Sequence, residues 1–489
     1  MSRRGPALAT ALATASLASA CTVGPNYHGP QLTTPATYPE AASTPRTTIT
    51  TSDADLSTWW TQFNDPILTG LITRALKTSP DVLTAQSRVR QSRQIEVETA
   101  AAEYPTLSAA ANAATLNSNR SGGAATGVSA GFQLPGHLNL YSVGFDASWE
   151  VDLFGGTRRA IEEAKANTAA YEWALRDAQV TLVAEVAADY LTLRATQARL
   201  VVGEAELARQ KSLFTLISAR REAGFLTNLD VNQQNTAVAT AAAQIPQLTA
   251  QARTQIHALG VLLGEPPEAL SDELSAAGAI PPPPPNLPLG LPSELLQRRP
   301  DIREAERRLA AANAAIGVQT ANLYPKLDLL GLASFASTHA GAVFEPQSLS
   351  SAALGMLTEP IFDAGKRRAA VRAAREAREQ ALIAYRVAVL GALRDVEDAL
   401  VRYETEEMRR VSLGQAVNAA QGSLQISQSQ YRTGFSPFLN VLQSEVALLN
   451  AEDQLTQSDA AIESDLVAVY KALGGGWSSS SLPRADLKQ

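Results

Sequence analysis

From Tyr141 to Leu153 apolar and polar residues alternate without a break. Tyr141, Val143, Phe145, Ala147, Trp149, Val151 and Leu153 stand against Ser142, Gly144, Asp146, Ser148, Glu150 and Asp152. A period of two is a strand with one apolar and one polar face. Strands of soluble sheets average about five or six residues, whereas a tilted membrane-spanning strand needs about 9–11. The length therefore favours a transmembrane β-strand, and Tyr141, Val143, Phe145 and Trp149 are the candidate lipid-facing positions. A second strand is expected after Tyr104–Pro105, and in the other half two more, with poorer alternation, are expected after Tyr324–Pro325 (KLDLLGLASF) and before Phe362 (AALGMLTEPI).

The rest of the pattern is helical. Val389, Leu393, Val396, Leu400 and Tyr403 are spaced 4, 3, 4, 3, and Val183, Val186, Tyr190 and Leu193 repeat the register. That is a heptad seam. The spacing predicts a helix from about Arg158 to Glu222, roughly 100 Å long at the helical rise. A partner follows from near Asn228 to Leu263, with a break expected at Pro246. The same helix–tip–helix pattern runs from Arg367 to Leu473.

The chain is duplicated. PDVLTAQSRVRQSRQIEVETAAAEYPTL (80–107) aligns without a gap on PDIREAERRLAAANAAIGVQTANLYPKL (300–327), at an offset of 220. Later the offset is 210, matching Gly224–Phe225 to Gly434–Phe435 and Leu263–Gly264 to Leu473–Gly474. Two blocks in the same order mark one internal repeat. Five prolines, Pro281–Pro285, form a stiff, non-helical connection. The expected organisation is residues 1–20 as signal, 21–58 as an extended N-terminal segment and 59–270 as the first repeat. A linker (271–290), the second repeat (291–476) and a tail (477–489) complete it.

The N-terminus changes the picture. Arg3 and Arg4 precede a weakly apolar run ending in Ala18, Ser19 and Ala20, which is a secretory signal pattern. Cys21 follows, the single cysteine of 489 residues. Its place predicts a lipoprotein site: the thiol takes a diacylglycerol, the signal is cut before it, and the new amine is acylated, for example with palmitate. One cysteine excludes disulfides and thiolate metal clusters. His28, His137, His257 and His339 lie far apart, so no metal or other cofactor is expected.

The formal charge is −7; removing two of the 41 basic residues with the signal, against 48 acidic ones, leaves −9. That argues against nucleic acid as a partner. No mature segment has 18 consecutive apolar residues, so no transmembrane helix is expected. The chain is read as non-enzymatic. GVSAG (127–131) fits a nucleophile-elbow pattern, but FQLPGH follows where a helix is required.

The two repeats supply four strands, and four strands cannot close, while open edges are not tolerated in lipid. The chain must then oligomerise: a dimer gives eight strands and little lumen, a trimer twelve. The fold class is an α+β membrane protein built of duplicated helical hairpins.

CTVGPNY at Cys21, WWTQFNDPILTGLITRAL (59–76), WEVDLFGG (149–156), GLPSELLQRRPDI (290–302), YPKL (324–327) and PIFDAGKRRA (360–369) resemble the outer-membrane efflux protein family. These are the TolC-like channels, and the likeness is to the NodT-type outer-membrane lipoproteins. The resemblance implies a homotrimer in the cell outer membrane. A 12-stranded β-barrel would continue into an α-helical periplasmic barrel. Solutes would come from an inner-membrane resistance-type pump through a periplasmic adaptor. The adaptor would dock on the helical tips, at Arg221, Gly224, Phe225, Gly434 and Phe435. In the family, Asp residues after the second tip glycine narrow the periplasmic end. Here the matching places are the neutral Asn440 and Gln443, with Asp230 equivalent to Asn440 in the first repeat. Two other readings remain open: a channel for secreted proteins, and a coiled-coil lipoprotein scaffold without a channel.

Overall fold

The computed structural model describes residues 22–31, 35, 37–39, 48–50, 56–117, 137–284, 286–288 and 292–478. The signal segment, Cys21 and the 127–131 run lie outside them. Among the described residues the helices are α1 (Pro66–Thr78), α2 (Pro80–Ala101), α3 (Gly156–Glu222), α4 (Asn228–Leu262), the single turn α5 (Ser271–Leu274), α6 (Pro292–Arg298), α7 (Pro300–Ala321), α8 (Lys366–Arg432) and α9 (Phe438–Ala472). The strands are β1 (Thr48–Thr50), β2 (Thr106–Asn117), β3 (His137–Val151), β4 (Asn286–Pro288), β5 (Lys326–Ser337) and β6 (Leu349–Thr358).

Two compact units share the chain. The first takes the described parts of residues 1–30, 91–169 and 306–383, the second those of 31–90, 170–305 and 384–489. Neither unit is a repeat; each draws on both.

The first unit holds the sheet, in the order β2-β3-β5-β6, antiparallel throughout. Register places Tyr141, Val143, Phe145, Ala147 and Trp149 on one face, with Phe335, Ala333, Gly331 and Leu329 beside four of them. The opposite face carries Asp146, Ser148, Glu150 and Asp328. Strand β6 begins and ends three residues before the expected 352–361. Pro360 cannot donate to a ladder, which ends the strand at Thr358. The sequence TVGPNY (22–27) runs as a strap across this unit. Its anchors are Val23 N to Phe154 O (3.1 Å), Arg159 Nε to Val23 O (3.1 Å), Asn313 Nδ2 to Pro25 O (2.9 Å) and the Tyr27 hydroxyl to Glu306 (3.0 Å). Gly24 is required: its φ is +91°, and a Cβ there would stand 2.5 Å from the Gly317 Cα.

The second unit is a helical bundle around the heptad seam. Val183, Val186, Tyr190 and Leu193 are each at most 1% exposed, and Val389, Val396, Leu400 and Tyr403 are buried in the same core. Trp59 stacks on Tyr470 (centroids 4.8 Å, planes 12° apart) and meets Trp60 and Phe63 edge-on. Each such side chain contributes about 1.5–3 kcal/mol by leaving water. Helix α1 starts where Asp65 caps the amides of Ile67 (2.8 Å) and Leu68 (3.0 Å) ahead of Pro66. The expected break at Pro246 does not occur: α4 is continuous through it. Proline removes one hydrogen bond, and the helix on both sides, packed through Ala241, Leu248 and Ala252, holds the axis.

Candidate functional site: helical tips and sheet face

The tips belong to the second unit. Helix α3 ends in a Schellman-type reversal, with Gly224 N on Arg221 O (2.9 Å) and Phe225 N on Arg220 O (3.0 Å). Helix α8 ends the same way, with Gly434 N on Tyr431 O (3.2 Å) and Phe435 N on Gln430 O (2.9 Å). The φ values are +82° at Gly224 and +80° at Gly434, and nothing lies within 4 Å of a Cβ built at either. Backbone conformation, not crowding, demands glycine at both. Phe225 is 79% and Phe435 89% exposed. Behind them Ile217 packs on Phe438 and Val441, so the two hairpins are joined by an apolar contact of their own.

The polar residues of the tips have defined partners. Thr227 and Asp230 form a capping box at the start of α4: the Asp230 carboxylate accepts from Thr227 N (2.9 Å) and its hydroxyl (2.7 Å). Arg221 Nε donates to Asn228 Oδ1 (2.9 Å). Asn440 donates to the Ser436 hydroxyl (2.8 Å), and Pro437 caps α9 without a side-chain bond. Gln443 is exposed one turn further on.

A buried polar network behind the tips was not foreseen. Gln210 donates to Glu206 (2.5 Å) and to Glu445 (3.0 Å), and Gln234 donates to the Gln210 side chain (2.6 Å) and carbonyl (2.9 Å). Burial raises the Glu445 pKa, partly offset by the Gln210 bond. The i,i+4 spacing of Glu206 and Gln210 was the one available signal. Further along the same helices Glu463 is 2% exposed, and one of its carboxylate oxygens has no partner. Burial, reinforced by Asp459, pushes its pKa up to about 8.

In the first unit the four strands run 12, 15, 12 and 10 residues, each long enough to cross a bilayer when tilted. Phe145 is 57% exposed and Val143 is exposed; Tyr141 and Trp149, on the same face, are half-buried. Among the described residues the outer edges of β2 and β6 have no strand beside them. Among the described residues no helix is long and apolar enough to cross a membrane, and no cluster of His, Cys, Asp or Glu could hold a metal.

Membrane-length strands in one unit and paired helical tips in the other are the features of the TolC-like class of outer-membrane channels. The chain belongs to the outer membrane efflux protein family, which it matches over residues 71–265 and again over 291–475. It is 34% identical to the pyoverdine export outer membrane protein OpmQ of Pseudomonas aeruginosa, over 89% of this chain and 91% of that one. It is 29% identical to nodulation protein T of Rhizobium leguminosarum bv. trifolii, over 94% and 96%. The solved outer-membrane channel OprN shares its fold with a TM-score of 0.84 at 35% identity, covering 94% of this chain and all of that one. The protein is therefore an outer-membrane efflux protein, from a family of channels rather than enzymes.

Proposed function

We propose that three copies of this chain form the exit duct of a tripartite efflux pump. Twelve strands close a barrel in the outer membrane, and the α3–α4 and α8–α9 hairpins line a periplasmic tunnel. The carrying observation is the sheet: four membrane-length strands, one apolar face and two unpaired edges. Lipid tolerates such a sheet only when it is closed. No energy-coupling motif is present in the sequence, so transport is driven by an inner-membrane resistance-type pump, reached through a periplasmic adaptor. The adaptor docks on the tips, where Phe225 and Phe435 offer exposed aromatic surface beside Arg221 and the two turn glycines. Asn440 and Gln443 line the constriction as a neutral ring. Asp230 lies near it with its carboxylate engaged by Thr227. The solutes are small molecules chosen by the pump; OpmQ, the pyoverdine export protein, and the toluene efflux protein TtgI of Pseudomonas putida are relatives in which one duct architecture serves unlike cargo.

A lipid on Cys21 completes the anchor. Thr22, the next residue, packs against Gly155 between β3 and α3, where a Cβ on that glycine would meet the threonine at 2.7 Å. An acyl chain on Cys21 would thus start beside the base of the barrel.

Light scattering of the detergent-solubilised particle and planar-bilayer recording test the reading. Three chains per particle and a through-going conductance are expected. A monomer or dimer, or a trimer without conductance, overturns it. Mass spectrometry of the mature N-terminal peptide tests the anchor; an unmodified Cys21, or a chain starting elsewhere, refutes it.

A further inference from the structure

The linker between the repeats forms one wall of a cavity in the second unit. Ile280, Pro281, Pro282 and Pro283 line it on one side. Helices α8 and α9 line it on the other, through Glu407 and Arg410 and through Asp459, Ile462 and Glu463. The enclosed volume is about 260 Å3. A cavity of about 150 Å3 accommodates benzene, so this one has room for a ligand of about seven to ten heavy atoms.

The polar lining accepts hydrogen bonds and hardly donates them. Three successive prolines have no N–H, so this stretch of the strap carries only carbonyl acceptors. Glu407, Asp459 and Glu463 are acids, and Arg410, the one basic side chain, is already held by Asp459. The hydroxyls nearby are committed elsewhere. Tyr403 donates to Glu407 (3.3 Å), Ser458 to Glu406 (2.5 Å) and Tyr470 to Gln62 (3.0 Å). Arg409 also donates to Glu406 (2.9 Å). Glu463 is left without a donor: it is 2% exposed, and its Oε2 is buried with no partner among the described residues. A buried carboxylate in such a place is costly unless a cation reaches it. A bare metal ion does not suit the site, since no three His, Cys, Asp or Glu among the described residues are placed to hold one.

We propose that this cavity binds a small primary alkylammonium ion. The ammonium brings three donors and one positive charge to Glu463 and the acceptors around it, and the alkyl chain lies on Ile280, Ile462 and the proline rings. A carboxylate ligand would find no free donor, and an alcohol would bring one donor and no charge. Entry exchanges one cation for one proton. Burial and Asp459 hold the Glu463 carboxyl protonated up to about pH 8, with Arg410 the opposing charge, so its proton passes to solvent as the ammonium arrives. An alkylammonium, like the lysine side chain, keeps its own proton to about pH 10. Affinity therefore rises with pH and levels off above about pH 8. The bound ion ties the linker between the repeats to both α8 and α9.

The cavity lies within one chain, so its test is independent of how many chains assemble. Calorimetric titration of the detergent-solubilised protein with hexylammonium chloride should show one saturable site per chain. 1-Hexanol, of the same shape but uncharged, should bind about tenfold more weakly or worse, and hexanoate should not bind. In a pH-stat, saturation with hexylammonium should release close to one proton per chain at pH 6.5 and almost none at pH 9. Glu463→Gln should abolish that release and weaken binding about tenfold. Asp189→Asn, which removes another carboxyl raised by burial, should change neither. Hexanol binding as tightly as hexylammonium would make the site an apolar gap, and no saturable heat up to tens of millimolar would leave it to water; either result overturns the proposal. Binding without proton release at pH 6.5, or binding that Glu463→Gln leaves intact, overturns it too. Should Glu463→Gln fail to fold, the proton count and the hexanol comparison on the natural protein decide.

Discussion

The Tyr190 hydroxyl donates to Asp65 Oδ2 at 2.6 Å, while Oδ1 of the same carboxylate caps the first turn of α1. Arg194 Nε in turn donates to the Tyr190 oxygen at 2.9 Å. One carboxylate thus fixes where α1 begins and ties it to the middle of α3. Tyr190→Phe should cost about 1.5–3 kcal/mol, the worth of a hydrogen bond to a charged group. Asp65→Ala should cost more, because the cap, worth about 1 kcal/mol, goes as well and the Ile67 and Leu68 amides and the Tyr190 hydroxyl all lose their acceptor. Thermal unfolding of the purified particle orders the two variants; equal effects would mean that the cap is not contributing.

Phe145→Arg should block barrel assembly. The position lies on the apolar face of β3, and an arginine facing lipid near the midplane costs about 2–4 kcal/mol in each chain. Asp146→Arg, one residue along and on the polar face, should assemble normally. Heat-modifiable mobility of the membrane fraction on SDS gels reads both. Normal assembly of Phe145→Arg would show the faces to be reversed.

The proposed neutral ring at the tips would have an electrical signature. Carboxylates at the constriction would bind divalent cations; Asn440 and Gln443 bind them weakly. Millimolar divalent cations on the periplasmic side should hardly reduce single-channel conductance of the natural protein. Asn440→Asp with Gln443→Asp should create a block. Strong block of the natural channel would place an acid, such as Asp230 or Glu445, in the ring instead.

Glu463 should make stability fall with rising pH. Buried beside Asp459, with Arg410 the opposing charge, its carboxyl is raised from the ordinary 4.5 to about 8. Glu407 and the proline strap Pro281–Pro283 line the same cavity and add no cation. Between those pH values the folded chain holds a proton that the unfolded chain has released, so the folded state loses ground until about pH 8. Glu463→Gln should flatten this slope and unfold at a higher temperature than the natural protein at pH 9. Asp177 and Asp189, each raised to about 6 mainly by burial, add a slope at lower pH that both proteins share. An unchanged difference between the two proteins from pH 5 to 9 would show Glu463 to be ionised in the fold.

Sequence periodicity carried the elements whose neighbours are close or regular. The heptad positions Val186 and Tyr190 are at 0% exposure, and the strict alternation around Phe145 marks β3 with its faces assigned. Strand β2 has no such signal, since Ser108, Ala109, Ala110, Ala111 and Asn112 are all small; it was placed through the Tyr104–Pro105 repeat. The strap at 22–27 was legible only as a family motif. Arg159 is 4% exposed and reaches Val23 and Asn26 across more than 130 residues of chain, and no local pattern announces such a contact. The network of Glu206, Gln210, Gln234 and Glu445 was missed for the same reason: polar residues on long helices are ordinarily solvated, and their burial depends on how separate hairpins pack.

In the proposed three-chain barrel, the internal joint between β3 and β5 would have a kinetic consequence for assembly. A chain with a single repeat would expose the same two edges and would have to meet twice as many copies to close the same circle. With the repeats fused, half of the joints form within one molecule, at the millimolar effective concentration that a short tether supplies. Only the remaining half wait on diffusion between separate molecules. Closure then responds far less steeply to the rate at which the cell delivers the protein to its membrane.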